Sequence, residues 1–261
     1  MLIPSAIFCR FLNLTIMKIP KPAFYKYFED GMPWYLVRHY WWAYLWPVAV
    51  WFFDHQPIIN AILFGQYRKL MDATMARLAH RPKGRVLQLT CVYGELTPKL
   101  AAALHPEPLH ITDVAQIQLD VARRKLGHSD QLMATRMNAE HLGYEDDSFS
   151  TIVLFFLLHE MPEEARRNTL AECMRTLVPG GVLLMTEYAP RPQRHLLYRF
   201  PPSRWLLVRL EPFLGTFWLE DMEPLLNECG SAHGKHVAAI REETFFSDFY
   251  RVTEFSIAGK S

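Results

Sequence analysis

The sequence predicts an α/β domain built on a parallel sheet, with a helical, aromatic-rich segment ahead of it. Three observations lead there. From Arg85 onward, short apolar runs alternate with amphipathic ones, the pattern of strands and helices covering both faces of a sheet. The turn after the first of these strands holds Gly94, and Asp113 follows it by 19 positions at the tip of the second strand, a spacing found in nucleotide-binding βαβ units. The composition, 261 residues with 50% hydrophobic and 21% charged, is that of a folded chain long enough for one large domain with additions. A net charge of +1 gives no long-range attraction for nucleic acid, which is excluded as a default partner.

The elements follow in order. Strands are expected at 86–89, 109–112, 132–137, 151–156 and 182–187, and helices at 97–104, 117–126 and 162–177. The last helix opens on Pro162, Glu163 and Glu164, suited to a first turn, and Pro179, Gly180 and Gly181 are expected to stop it. Apolar stretches at 237–246 and 249–258, joined by Ser247 and Asp248, read as a closing hairpin. Residues 1–80 are assigned to a helical extension or membrane-facing cap, and residues 81–261 to the cofactor domain with a basic insertion at about 190–212.

The 13% aromatic content concentrates between Trp34 and Phe64, which holds Trp34, Trp41, Trp42, Trp46 and Trp51. As a helix, its uncharged run from Tyr40 to Phe53 extends only about 21 Å, short of the roughly 30 Å of a bilayer core, and Pro47 interrupts it. Trp and Tyr favour the headgroup region, so the segment suits an interfacial element; equally, it suits a cap over the core or a pocket. The insertion carries Arg191, Arg194, Arg199, Arg204 and Arg209 among leucines and aromatics with no acidic residue between 191 and 210. That pattern fits an anionic membrane surface or a solvated basic helix face. Cys9, Cys91, Cys173 and Cys229 are scattered without metal or disulfide spacing, which fits a reducing compartment. Residues 1–16 lack the features of a cleaved leader and read as a frayed or mis-started terminus before Met17, with organelle targeting as the minor reading.

The chemistry-bearing residues gather at the strand tips. Asp113 can accept hydrogen bonds from the two hydroxyls of an adenosine ribose, or cap the helix after it. His159 and Glu160 lie just past the fourth strand, on the carboxyl edge where open α/β sheets bind ligands; imidazole can move protons or ligate a metal. Glu160 is a carboxylate candidate for an oxygen-preferring metal, or simply a helix-start residue. Glu187 and Tyr188 end the fifth strand on the same edge and are candidates for contact with substrate.

The motifs RVLQLTCVYGEL, ITDV, NAEHL, STIVLFFLLHE and RTLVPGGVLLMTEY, in this order, resemble those of the class I S-adenosylmethionine-dependent methyltransferases. The resemblance implies a Rossmann-like, mostly parallel seven-stranded sheet with a C-terminal antiparallel hairpin. It also implies a cofactor site at Gln88, Thr90, Gly94, Asp113, Val114, Asn138, Ala139 and Phe155. Several positions depart from the pattern: Gln88 replaces an acid, Thr90, Val92 and Tyr93 replace Gly, Gly and Thr, and Asn138 replaces an Asp. β-Branched residues resist both the positive φ and the close backbone approach of that turn, so the methionine end of the cofactor must sit differently. The YWWAYLWP, VLQLTCVYG, FFLLHE and LEPF segments are similar to a narrower family, the rhodoquinone biosynthesis proteins. That resemblance implies conversion of ubiquinone to rhodoquinone, an amino group replacing a ring methoxy group, with S-adenosylmethionine as nitrogen source and manganese assisting. From their places at the strand edge and turn, catalysis is expected at His159, Tyr93 and Glu187, with Tyr93 covering the sulfonium end of the cofactor or simply plugging the turn, and His159 and Glu160 are candidate metal ligands; the chain is expected peripherally on the cytoplasmic face of the inner membrane, or on the matrix side in a mitochondrion. The alternatives are a conventional methyltransferase on a quinone or lipid precursor, and a non-catalytic accessory protein on the same fold.

Overall fold

The computed structural model describes residues 31–127 and 129–259; the expectation for residues 1–16 lies outside them. Seven strands form one sheet: β1 Val86–Leu89, β2 Leu109–Asp113, β3 Leu132–Arg136, β4 Phe149–Phe155, β5 Leu177–Tyr188, β6 Lys235–Phe245 and β7 Tyr250–Gly259. Their order is β3-β2-β1-β4-β5-β7-β6, parallel through β5, with β7 antiparallel to both β5 and β6. This is the Rossmann-like methyltransferase arrangement. β1 and β4 are buried throughout, as strands covered by helices on both faces should be. Strand order reverses between β1 and β4, so a crevice opens beyond their carboxyl ends, and the site lies there.

The helices are α1 Trp41–Tyr44, α2 Pro47–Phe53, α3 Gln56–Ile62, α4 Tyr67–Leu78, α5 Leu96–Leu104, α6 Gln116–Lys125, α7 Glu163–Thr176, α8 Leu196–Arg199, α9 Pro201–Leu210, α10 Leu214–Phe217 and α11 Met222–Ser231. Pro47 starts α2 at its first position rather than kinking a longer helix, because its missing N–H is not needed there. None of the described helices is long and apolar enough to cross a membrane. α4 belongs to the main core: Tyr67, Leu70, Met71 and Leu78 share one apolar cluster with β1, β4 and β5. The Thr74 and Thr186 hydroxyls meet at 2.7 Å within it.

Two local expectations are corrected. Pro179, Gly180 and Gly181 do not stop a helix; α7 already ends at Thr176, and these residues lie inside β5, where the pairing with β4 shifts register. A Cβ on Gly181 would meet Val178 O at 2.8 Å and Ser150 O at 3.1 Å, so that irregular stretch needs glycine. The last carbonyls of α7 are held by the buried Lys235 ammonium, which donates to Met174 O, Arg175 O and Leu177 O and pairs with Asp147 at 2.6 Å. The closing hairpin forms, but its turn is wider than Ser247 and Asp248: Phe246, Ser247 and Asp248 all take positive φ, at 53°, 51° and 60°.

Candidate functional site

Two cavities flank the carboxyl ends of β1 and β4. The first, of about 650 Å³, is lined by Thr90, Cys91, Asp113, Val114, Asn138 and Ala139 from the strand tips, by Gln118 of α6, and by Tyr35, Tyr40 and Tyr44 from the N-terminal segment. The second, of about 840 Å³, is apolar and aromatic: Trp42, Phe53, Ile59, Ile62, Leu63, Tyr93, Phe155, Phe156 and Tyr188 enclose it. Tyr40, Tyr44, Cys91, Phe156 and Glu160 line both, so these residues form the wall between them.

The first cavity gathers Thr90, Asp113, Val114, Asn138 and Ala139 as the sequence predicts. Asp113 is buried, and its carboxylate accepts from the Cys91 and Ala115 amides at 2.9 and 2.8 Å. Burial raises its pKa to about 6. Asn138 Oδ1 accepts from the Glu140 amide at 3.0 Å and, with a second lone pair, can still take a donor from an adenine. Gln88, Gly94 and Phe155 do not line this cavity. Gln88 is buried and donates to Thr90 O at 3.0 Å, fastening the turn, and Phe155 faces the apolar cavity.

The turn after β1 differs from the expectation in a telling way. Thr90 does enter the left-handed region, with φ 69°, although it is β-branched, so the backbone path survives the loss of glycine at the cost of strain. Gly94, at φ 82°, serves a side chain of this chain: a Cβ there would lie 2.5 Å from the Tyr67 hydroxyl. That hydroxyl donates to Tyr93 O at 3.0 Å and accepts from the Glu95 and Leu96 amides at 2.9 and 3.2 Å. Asp54 accepts from the Gly94 amide at 3.1 Å, and Lys125 bridges Asp54 and Gly94 O. Tyr93 turns away from the first cavity; its hydroxyl donates to Ala43 O at 2.5 Å, and its ring stacks on Tyr44 at 5.7 Å. It therefore covers the apolar cavity instead of a sulfonium.

His159 and Glu160 sit on a 3₁₀ turn, Leu158–Glu160, immediately beyond β4. Glu187 is fully buried and lines neither cavity, which removes it from contact with substrate. Its carboxylate accepts from the Leu158 amide at 2.7 Å and from the Tyr188 amide at 3.2 Å, and meets His159 Nδ1 at 2.8 Å, so it is a positioning residue. Burial, the largest single influence, lowers the His159 pKa, but the Glu187 charge and hydrogen bond together with the Glu211 and Glu160 charges outweigh it and raise the value to about 9. His159 Nε2 then faces Glu160 Oε1 at 4.0 Å. Glu160 does not cap a helix: it accepts from the Tyr44 hydroxyl at 2.5 Å, while Glu211 accepts from Tyr40 at 3.0 Å. Burial and the neighbouring Glu211 hold the Glu160 proton to about pH 8, against the opposing pull of His159. His159, Glu160 and Glu211 offer ligand atoms all within 4.8 Å of one another, a nitrogen and oxygen set that suits a divalent cation such as manganese. The Glu187 contact on the other imidazole nitrogen is the support that metal-binding histidines usually have. Sequence reasoning did not single out Glu211, Tyr40, Tyr44 or Tyr67. The signal available was that Glu211 lies in the LEPF segment, and Tyr40 and Tyr44 in YWWAYLWP.

Fold and comparisons together make this chain a transferase. Residues 86–181 match the family model described as a methyltransferase domain. Among curated proteins, the demethylmenaquinone methyltransferase of Lactiplantibacillus plantarum is 29% identical over 163 residues, covering 61% of this chain and 67% of that protein. The ubiquinone/menaquinone biosynthesis C-methyltransferase UbiE of Burkholderia mallei is 30% identical over 149 residues, covering 54% of this chain. The chain spans 60% of that relative's length. Solved structures agree on the fold: a putative methyltransferase bound to the Haloferax volcanii Trm112 activator superposes with a TM-score of 0.53 at 14% identity, over 80% of this chain and 97% of that one. The [4+2]-cyclase SpnF gives 0.51 at 18% identity, over 74% and 81%.

Proposed function

We propose that this protein acts on the ring of a ubiquinone-type membrane quinone with S-adenosylmethionine as co-substrate, and that it replaces a ring methoxy group by an amino group to give rhodoquinone. The observation that carries the reading is the pair of cavities meeting at one wall: one with the Asp113 carboxylate, and one lined by aromatic and aliphatic side chains of the kind that pack against a quinone ring. Amination forms a C–N bond at the methoxy-bearing carbon as its C–O bond breaks and methanol leaves; the nitrogen's bond to the cofactor's α-carbon must then break, the ring taking up the electron pair as a quinol and water replacing nitrogen on that carbon to leave a 2-oxo acid. In this reading manganese is held by His159, Glu160 and Glu211, where it would supply Lewis acidity toward a quinone carbonyl. Glu187 fixes the imidazole, Tyr40 and Tyr44 orient the carboxylates, and Phe156, Tyr188 and Phe53 exclude water from the ring.

Entry from a membrane fits the exposed apolar surface. Trp42, Trp46, Trp51 and Phe52 of the N-terminal segment are 40–65% exposed beside the aromatic cavity, and Phe200, Trp205 and Leu206 stand out from the basic α8–α9 insertion. Peripheral binding to anionic lipid, on the face of the membrane where the quinone is made, is part of the proposal. Conventional C-methylation of a quinone is the second reading, favoured by the names of the two curated relatives.

The test is incubation of purified protein with ubiquinone, S-adenosylmethionine and manganese, followed by mass spectrometry of the quinone. Loss of methoxy with gain of amino is expected; a product heavier by one methyl substitution would replace amination by methyl transfer. Sedimentation with anionic vesicles should weaken when Arg194, Arg199 and Arg204 become Gln, and binding unchanged by those substitutions and by high salt rejects the basic patch as anchor.

A further inference from the structure

The aromatic cavity is polarised along its length. Among its described lining residues only Trp42 of α1 and Ile62 of α3 are exposed, at 40% and 47%, and these two mark its mouth. Its imidazole and carboxyl groups are gathered in one place, His159, Glu160 and Glu211, with ligand atoms within 4.8 Å of one another. Two files of rings join the ends. Trp42 meets Phe53 at 5.6 Å, Phe53 meets Tyr93 at 6.1 Å, and Tyr93 stacks on Tyr44, whose hydroxyl donates to Glu160. A second file runs from Tyr67, which follows Leu63 along the same lining, through Phe155 and Phe156 to His159, at centroid distances of 6.1, 5.3 and 5.8 Å. Apolar surface continues outside the mouth: Phe52, whose ring lies 5.3 Å from that of Phe53, and Phe64, two residues past Ile62, are 45% and 41% exposed.

This polarity admits an amphipathic molecule in one direction. A ring carbonyl loses its water on entry and needs a polar partner. The inner end supplies one; at the mouth the Trp42 indole N–H is already spent on His39 O at 2.9 Å, and Ile62 has nothing to give. A hydrocarbon tail turned inward would strip water from His159, Glu160 and Glu211 and return no hydrogen bond. We infer that the cavity takes a quinone ring first, that the tail leaves between Trp42 and Ile62, and that these two side chains are specificity-determining residues reading the first isoprene unit. The inference rests on the quinone reading of this cavity. It adds the direction of the substrate and the residues that favour a tailed ring over a tailless one. Beyond the mouth, the remainder of a long tail comes to lie on Phe52 and Phe64.

Calorimetric titration in EDTA compares two fully substituted quinones: the ubiquinone ring with one isoprene unit, and the same ring with methyl in that place. The prenylated ring should bind the unaltered protein at least tenfold more tightly, because its added carbons are buried at the mouth. Ile62→Glu and Trp42→Glu, both at exposed positions, should each bring that ratio below threefold. Affinity for the methyl ring should stay unchanged in both, which also verifies a folded cavity. A ratio that survives in both variants takes the tail elsewhere and overturns the inference. Equal loss of both quinones overturns it too, since the two residues would then belong to the pocket of the ring, as does equal affinity of the unaltered protein for the two. Failure of the unaltered protein to bind either quinone would instead refute the quinone reading of the cavity.

Discussion

Replacing Tyr67 by Phe removes one oxygen and leaves the ring, and the structure states what that oxygen does. It satisfies Tyr93 O, Glu95 N–H and Leu96 N–H, in a side chain only 1% exposed. The last two are orphan donors at the start of α5, with no partner inside the helix. Each group left bare in the interior costs about 1–3 kcal/mol; taking the low end for all three gives a loss of about 3 kcal/mol. At about 2.1 cal/mol/K per residue, a chain of 261 residues unfolds with an entropy near 0.55 kcal/mol/K, so Tm should fall by about 5–6 °C in scanning calorimetry. Gly94→Ala supplies the cross-check. Its Cβ would lie 2.5 Å from the Tyr67 oxygen and 2.8 Å from the ring carbon bearing it, so Phe at 67 relieves part of the clash and the double variant should lose less than the sum of the singles. A Tm drop under 2 °C for Tyr67→Phe, with additive behaviour of the pair, would refute the view that this hydroxyl fills the turn.

Further outcomes follow from the site. Glu187→Ala strands the His159 imidazole and the Leu158 amide in a dry interior and should destabilise by about 3–5 kcal/mol in urea unfolding; a loss below 1 kcal/mol would show the buried pair to be dispensable. The Asp113 pKa is raised to about 6 in the folded chain, so the carboxyl is neutral below that pH and cannot accept from both ribose hydroxyls. Affinity for 5′-methylthioadenosine should therefore fall as pH drops from 7 to 5, and Asp113→Asn should flatten the profile; a flat profile in the unaltered protein rejects the role. The same shift makes stability fall as pH rises from about 4 through 6, because the folded state then holds a proton the unfolded chain has lost. Thr90→Gly relieves a β-branched residue at φ 69° and should raise stability by about 1 kcal/mol after the entropy cost of glycine, read from the urea midpoint; a clear decrease would mean the threonine side chain makes a compensating contact.

The sheet was legible because its strands are continuous apolar runs and its helices amphipathic: β1 occupies the expected 86–89, and α5, α6 and α7 fall within a residue of expectation at nearly every end. What misled was punctuation. Pro-Gly-Gly reads as a helix stop, yet the helix had already ended and the three residues form an irregular strand entry, because a parallel partner, β4, was there to receive them. At the site, Asp113, Asn138 and His159 were visible as polar residues at strand tips. Tyr67, Asp54 and Glu211 were not, since each reaches the site from a distant part of the chain and looks, in sequence, like an ordinary residue of a helix or loop. Glu187 looked like a substrate contact because it ends a strand on the right edge; its orientation toward the 3₁₀ turn is set by tertiary packing alone.

The wall built from Tyr44 and Glu160 has one more consequence. A ligand on either side touches the same hydroxyl and the same carboxylate, so the free energy of filling one cavity depends on whether the other is filled. Thermodynamic reciprocity then requires that a ligand of the first cavity alter the affinity for a ligand of the second by the same factor by which the second alters that of the first. The size of that mutual effect therefore reports on the contacts across this wall, the Tyr44–Glu160 hydrogen bond among them.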